Sequence, residues 1–201
     1  MPDRLRAVAG DDHVSKSSTA AHQSDHIFKA CGLPVFFPAT VQEILDLGIH
    51  AFAMSRYAGV WAGMKTIQEI VESSATAMID PDRVQIKIPT DFVMPNGGLH
   101  IRWPDHALEQ EARLFDYKWY AALAYIRANS SHPISSCETL IGLQQFLPYF
   151  ENQSVDVAIV DTPWNGVWQS LKIAAAAAAY EVNVAPHNFY GHLCTMMNAH
   201  F

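Results

Sequence analysis

The chain has 201 residues, half of them apolar, and a formal net charge of −7. This is enough chain to bury a sizeable core in one domain or two. The acidic balance argues against a nucleic-acid partner or a membrane surface, either of which favours a basic face. No apolar run approaches the ~18 residues of a membrane span, and the opening Met1–Arg6 segment lacks the apolar region of a signal peptide. Cys31, Cys137 and Cys194 lie far apart and form no Cys-x-x-Cys pair. Neither an iron–sulfur cluster nor a zinc ribbon is encoded, and a reduced, cytoplasmic setting is expected.

In chain order, Leu5–Ala9 is a short apolar run opening onto a polar loop at Gly10, as a buried strand would. Asp11, Asp12 and His13 are metal-ligand types, but adjacent side chains do not readily converge on one ion, so no metal is expected on those three. Ser24 or Asp25 can cap a helix through Ile27–Ala30, stopped by Gly32. Val35–Phe37, between prolines, reads as a strand. Thr40-x-x-Glu43 is a capping box, with Val41, Ile44, Leu45 and Ile49 as the helical stripe behind it. Val60–Met64 and the alternating Val84–Ile88 are further candidate strands. An Arg/Glu-laced helix is expected from Leu108 to Arg127. This alternation predicts an α/β fold with a mainly parallel, doubly wound sheet, in which ligands gather beyond the strands' carboxyl ends. The Asp11–Asp25 loop stands in such a place, although a solvated helix-capping loop explains the same residues.

Three strings in this half, GDDHVSKSSTAAHQSDHIFKACGLPVFFPATVQEILDLGIHAFAMSRYAGVWAGMKT, ESSATAMIDPDRVQI and GGLHIRWPDHALEQEARL, resemble the indolepyruvate ferredoxin oxidoreductases. These are 2-oxoacid oxidoreductases that use thiamine diphosphate. The likeness runs from about residue 4 to 129 and implies part of the pyrimidine-binding domain, with Ser17, Ser18, Gln23, Ser24 and Asp25 matching a loop near the cofactor. The activating glutamate, the magnesium–diphosphate signature and the cluster cysteines have no counterpart here, so thiamine diphosphate is not expected to bind.

Past the seam at Ala128–Pro133 the rhythm changes. Ile134–Cys137 leads to Glu138, and a helix follows through Leu140, Leu143, Phe146 and Leu147. Val155–Val160 is a buried-strand pattern ending at Asp161, Gly166–Tyr180 an alanine-rich helix, and Val182–Ala185 a strand leading to His187. Glu138, Asp161 and His187 each stand just past a strand, about one strand–helix unit apart, where barrel enzymes collect their chemistry. A carboxylate suits magnesium, and a histidine held by an aspartate is a general base of controlled tautomer. Acids that cap the next helices, and an ordinary loop histidine, would give the same spacing.

PISSCETL and VDVAIVDTPWNGVWQSLKIAAAAAAYEVNVAPHNFYGHL resemble the end of an enolase-superfamily barrel of the mandelate racemase and sugar-acid dehydratase type. The likeness implies that Glu138 is a magnesium ligand and that Asp161 and His187 form the dyad moving a proton next to a carboxylate, with magnesium stabilising the charge that develops. The family's other two metal ligands and its lysine base have no counterpart. Residues 1–129 and 133–201 are therefore expected to be two incomplete enzyme pieces, an α/β chain of a partial doubly wound sheet and a partial (β/α) barrel segment. Such a fused or truncated chain is expected not to turn over. The alternative is an enolase-superfamily dehydratase or racemase fragment that retains the Glu138/Asp161/His187 site. A small-molecule carboxylate is the expected partner, and exposed sheet edges are expected to favour oligomers. His192, Cys194 and His200 read as packing or surface residues of a last helix.

Overall fold

The computed structural model describes residues 6–100 and 103–201. The chain divides into two compact units, the first reaching Ile88 and resuming over Met94–Tyr125, the second formed by Pro89–Val93 and Ile126–Phe201.

The first unit holds a three-stranded parallel sheet of β1 (Arg6–Asp11), β2 (Val35–Phe36) and β3 (Ala62–Ile67), in the order β1-β3-β2. Leu5 of the expected first strand lies outside the described residues. Ala62 to Thr66 of the central strand are all buried, the signature of a parallel strand covered on both faces. Between the strands run α1 (Asp25–Ala30) and α2 (Val41–Ala58), followed by a single turn, α3 (Gln68–Val71). Thr40 caps α2 through its Oγ1, which accepts from the Glu43 N–H at 3.1 Å. Glu43 reaches one residue beyond the usual box and accepts from the Ala39 N–H at 2.7 Å.

Two expectations fail here. The buried face of α2 is Gly48, Ala51, Met54, Ser55 and Ala58, while Leu45 and Ile49 are exposed. Small residues bring the helix axis close to β3, and burial follows that close approach rather than side-chain hydrophobicity. Val84–Ile88 joins no sheet among the described residues. Its alternation is real, yet a strand needs a partner's ladder and none is present among the described residues.

The helix expected over Leu108–Arg127 is α4 (Ala107–Arg113) and α5 (Trp119–Asn129), continuous through a π-helical turn at Leu114–Lys118. The division between the units falls inside α5.

The second unit alternates β4 (Ser135–Ser136), α6 (Leu143–Glu151), β5 (Val157–Val160), α7 (Thr162–Asn165), α8 (Val167–Ala179), β6 (Asn183–Pro186) and α9 (His192–Ala199). Its strands are parallel in the order β4-β5-β6, with Ser135 opposite Val157 and Val160 opposite Pro186. Sequential parallel neighbours joined by helices make a partial (β/α) barrel segment, and the chain as a whole is α/β.

The core of this unit gathers Phe146, Phe150, Val155, Val160, Ile173 and Ala177. Each large side chain so buried contributes about 1.5–3 kcal/mol. The six-alanine run of α8 combines the best helix propensity with the least bulk. At the amino ends of the strands, Asp156 accepts from Arg127 Nε and from the Ile134 N–H, each at 2.7 Å, which pins the entry to β4. No helix among the described residues is long and apolar enough to cross a membrane.

Candidate active site

The carboxyl ends of β4, β5 and β6 place Glu138, Asp161 and His187 side by side. Asp161 follows Val160 directly and is buried because it caps α7: its Oδ1 accepts from the Trp164 N–H at 3.0 Å. Its Oδ2 accepts from Tyr190 Oη at 2.8 Å and is 3.1 Å from His187 Nδ1. Both carboxylate oxygens are thus committed, and an ionised carboxylate can only accept. The geometry therefore assigns the hydrogen of a neutral imidazole to Nδ1. Nε2 is left facing Glu138 Oε1 at 3.4 Å, an ion-pair distance whenever the ring is protonated. Glu138 is half exposed, and His187 is mostly covered.

The backbone of His187 is fixed from two sides. Its N–H donates to the Val160 carbonyl at 2.9 Å, and its carbonyl accepts from Asn198 Nδ2, also at 2.9 Å. Asn198 Oδ1 in turn accepts from the Thr162 hydroxyl. The Phe189 ring, exposed on its outer side, lies 5.1 Å from the imidazole. Burial pushes the Tyr190 phenol above its ordinary pKa, and its bond to Asp161 adds to the shift, so the phenol is a donor at neutral pH. Cys137, just before Glu138, takes a left-handed φ of 83°, a conformation that costs a non-glycine residue energy and is common beside functional groups. Its thiol is buried and pushed up to about 12, so it is inert.

The sequence alone singles out Glu138, Asp161 and His187, and the fold brings all three together. It gives no weight to Tyr190 or Asn198. The first stands three residues after His187 on the same turn, a position open to inspection. The second reaches the site from the last helix, and no spacing announces it. Cys194 is buried in that helix, while His192 and His200 are exposed.

The fit to magnesium is poor. Among the described residues Glu138 is the single carboxylate at this end of the sheet with coordination capacity left, since Asp161 already serves three donors. Magnesium asks for near-octahedral oxygen coordination and dehydrates reluctantly. One carboxylate does not meet that demand.

A parallel α/β segment with an Asp–His pair at its strand ends is the class that the fold and the site define. Residues 109–201 match the family of enolase C-terminal domain-like proteins. Among solved structures, the chain resembles an L-alanine-DL-glutamate epimerase candidate from Burkholderia xenovorans strain LB400 bound to magnesium and fumarate. That pair shares 57% identity over 46% of this chain and 25% of the other, with a TM-score of 0.39. It also resembles the 3,6-anhydro-D-galactonate cycloisomerase from Zobellia galactanivorans, at 28% identity over 40% of this chain and 23% of the other, with a TM-score of 0.39. A mandelate racemase/muconate lactonizing enzyme-like protein from Rubrobacter xylanophilus DSM 9941 gives 29%, 40% and 21%, with a TM-score of 0.38. The chain spans about a quarter of the length of these structures. No curated protein matches it.

None of these matches supports the oxidoreductase likeness of residues 4–129 or a thiamine diphosphate site. The loop that carries that likeness is occupied with its own structure. Asp12 accepts from the N–H groups of Lys16, Ser17 and Ser18 at 2.7–2.8 Å and from the Ser18 hydroxyl at 3.0 Å.

Proposed function

We propose that the second unit is the proton-transfer arm of an enolase-superfamily site of the racemase or dehydratase type, the arm that the family match at residues 109–201 favours. In this reading Asp161 holds the Nδ1–H of His187, and Nε2 takes a proton from, or returns it to, the carbon beside the carboxylate of a small hydroxy acid. The observation that carries the proposal is the Nδ1–Asp161 contact of 3.1 Å with Nε2 turned toward Glu138. Tyr190 secures the same aspartate oxygen, and the Phe189 ring lies 5.1 Å from the imidazole. The charge that develops on the substrate needs more than Glu138 can organise, and the chain alone is therefore proposed not to turn over.

Two measurements test this. Nitrogen-15 correlation spectra of neutral His187 should show the proton on Nδ1, and the opposite tautomer would remove the base. With magnesium and a panel of sugar acids in deuterated water, no deuterium should appear beside the carboxylate. Deuterium that does appear, and vanishes in His187→Asn, would show a complete enzyme where an arm alone is proposed.

A further inference from the structure

We propose that Asp11, His13 and Asp25 of the first unit form a binding site for a first-row divalent transition-metal ion, zinc being the natural candidate. Each offers one ligand atom, and the three atoms lie within 4.8 Å of one another. Asp12 takes no part, because its carboxylate is engaged by the N–H groups of the 16–18 loop. Asp11 and His13 share a side of the chain as residues i and i+2, and the start of α1 delivers Asp25 to them. The cluster sits beyond the carboxyl ends of β1 and β3, a usual place for ligands in a parallel sheet.

The second observation is a set of orphaned atoms. The Asp11 side chain is 1% exposed, yet its Oδ1 is buried without a hydrogen-bond partner, and so is His13 Nε2. Such groups are costly unless something satisfies them. Lys65 does not suffice. Its buried ammonium lies 2.6 Å from Asp25 Oδ2 and 3.5 Å from Asp11 Oδ2, and the latter oxygen also accepts from the Ser24 N–H at 2.9 Å, while Asp11 Oδ1 keeps no partner. One ammonium against two carboxylates leaves a residual negative charge beside an imidazole nitrogen. His13 Nε2 is 3.7 Å from Asp11 Oδ2, too far for a hydrogen bond.

A nitrogen donor with two carboxylates suits zinc, cobalt or nickel better than magnesium or calcium, which prefer oxygen throughout. Tetrahedral zinc with bonds of about 2.0–2.2 Å holds its ligand atoms about 3.3–3.6 Å apart, so atoms spread as far as 4.8 Å have to close by up to roughly 1.2–1.5 Å. The partly exposed side chains of His13 and Asp25 can supply that movement.

Cobalt(II) titrated into the full chain, followed by visible absorption and calorimetry, tests the site. One ion should bind per chain, with affinity at least about tenfold weaker in His13→Ala and in Asp25→Asn. It should bind more tightly in Lys65→Met, where no ammonium competes. Equimolar magnesium should not displace it, and Glu138→Gln should bind as the parent does, with circular dichroism confirming that each variant folds. Should Lys65→Met be unfolded without metal, cobalt should restore its structure. Absence of binding, or binding lost in Glu138→Gln and kept in His13→Ala, overturns the assignment.

Discussion

Asp161 is the residue on which most of the second unit's polar geometry converges. Three donors share its two oxygens, so replacement by alanine leaves a helix end uncapped and strands at least one buried donor. The cap is worth about 0.5–2 kcal/mol and an unsatisfied buried group about 1–3 kcal/mol. Asp161→Ala should therefore lose about 2–4 kcal/mol in urea unfolding, whereas Glu138→Gln, at a half-exposed position, should stay close to the parent. Equal losses in the two would deny Asp161 its central place.

Asp12 makes a different prediction. The N–H groups of Lys16 and then Ser17 hold its carboxyl well below the usual carboxylate range. A depressed folded-state pKa gives stability that is fully present above the unfolded value, near 4, and is lost as pH falls toward the folded one. Asp12→Asn should thus flatten the acid limb of the stability–pH curve below about pH 4 and leave its shape at neutral pH unchanged. An acid limb identical to the parent's would rule this out.

At the scale of elements, helix ends were easier to foresee than faces. Thr40 and Glu43 mark the start of α2 because capping is local chemistry, readable within four residues. Its buried face was misjudged because Gly48, Ala51 and Ala58 matter through the sheet they approach, which lies far away in sequence. Gly59 shows the same non-local control. It ends α2 with φ 70°, and a Cβ there would collide with the Leu99 carbonyl. Gly59→Ala combines a left-handed penalty of about 1–2 kcal/mol per residue with that collision. A loss of at least ~1 kcal/mol is expected from denaturant midpoints, and a neutral result would mean that the Leu99 segment yields freely.

For the molecule as a whole, the strand-end site was legible because a (β/α) repeat delivers each carboxyl end to one rim, whatever completes the sheet. The roles of Tyr190 and Asn198 were not, since they depend on how a turn and a distant helix fold back. Val84–Ile88 shows the limit from the other direction, since alternation of side chains does not supply a neighbouring strand. The open sheet has a consequence for association. Among the described residues β4 and β6 each pair with only one strand, and Val184 of β6 is 36% exposed. Unpaired edges recruit other strands, and lysine is the usual deterrent. Sedimentation should show self-association that rises with concentration and falls in Val184→Lys. A monomer at all concentrations would show that the edges are already guarded.

Asn198 touches both members of one seam. Its amide nitrogen holds the carbonyl of His187 at the end of β6, and its amide oxygen takes the hydroxyl of Thr162, which follows Asp161. One side chain on α9 thereby acts as a spacer gauge between two strands that belong to different repeats. When α9 frays, the gauge is lost and the imidazole can drift from its aspartate with no change in either residue. Amide exchange in the last helix should then rise and fall with the order of the dyad, so the terminal turns of the chain report on the site like a tension meter.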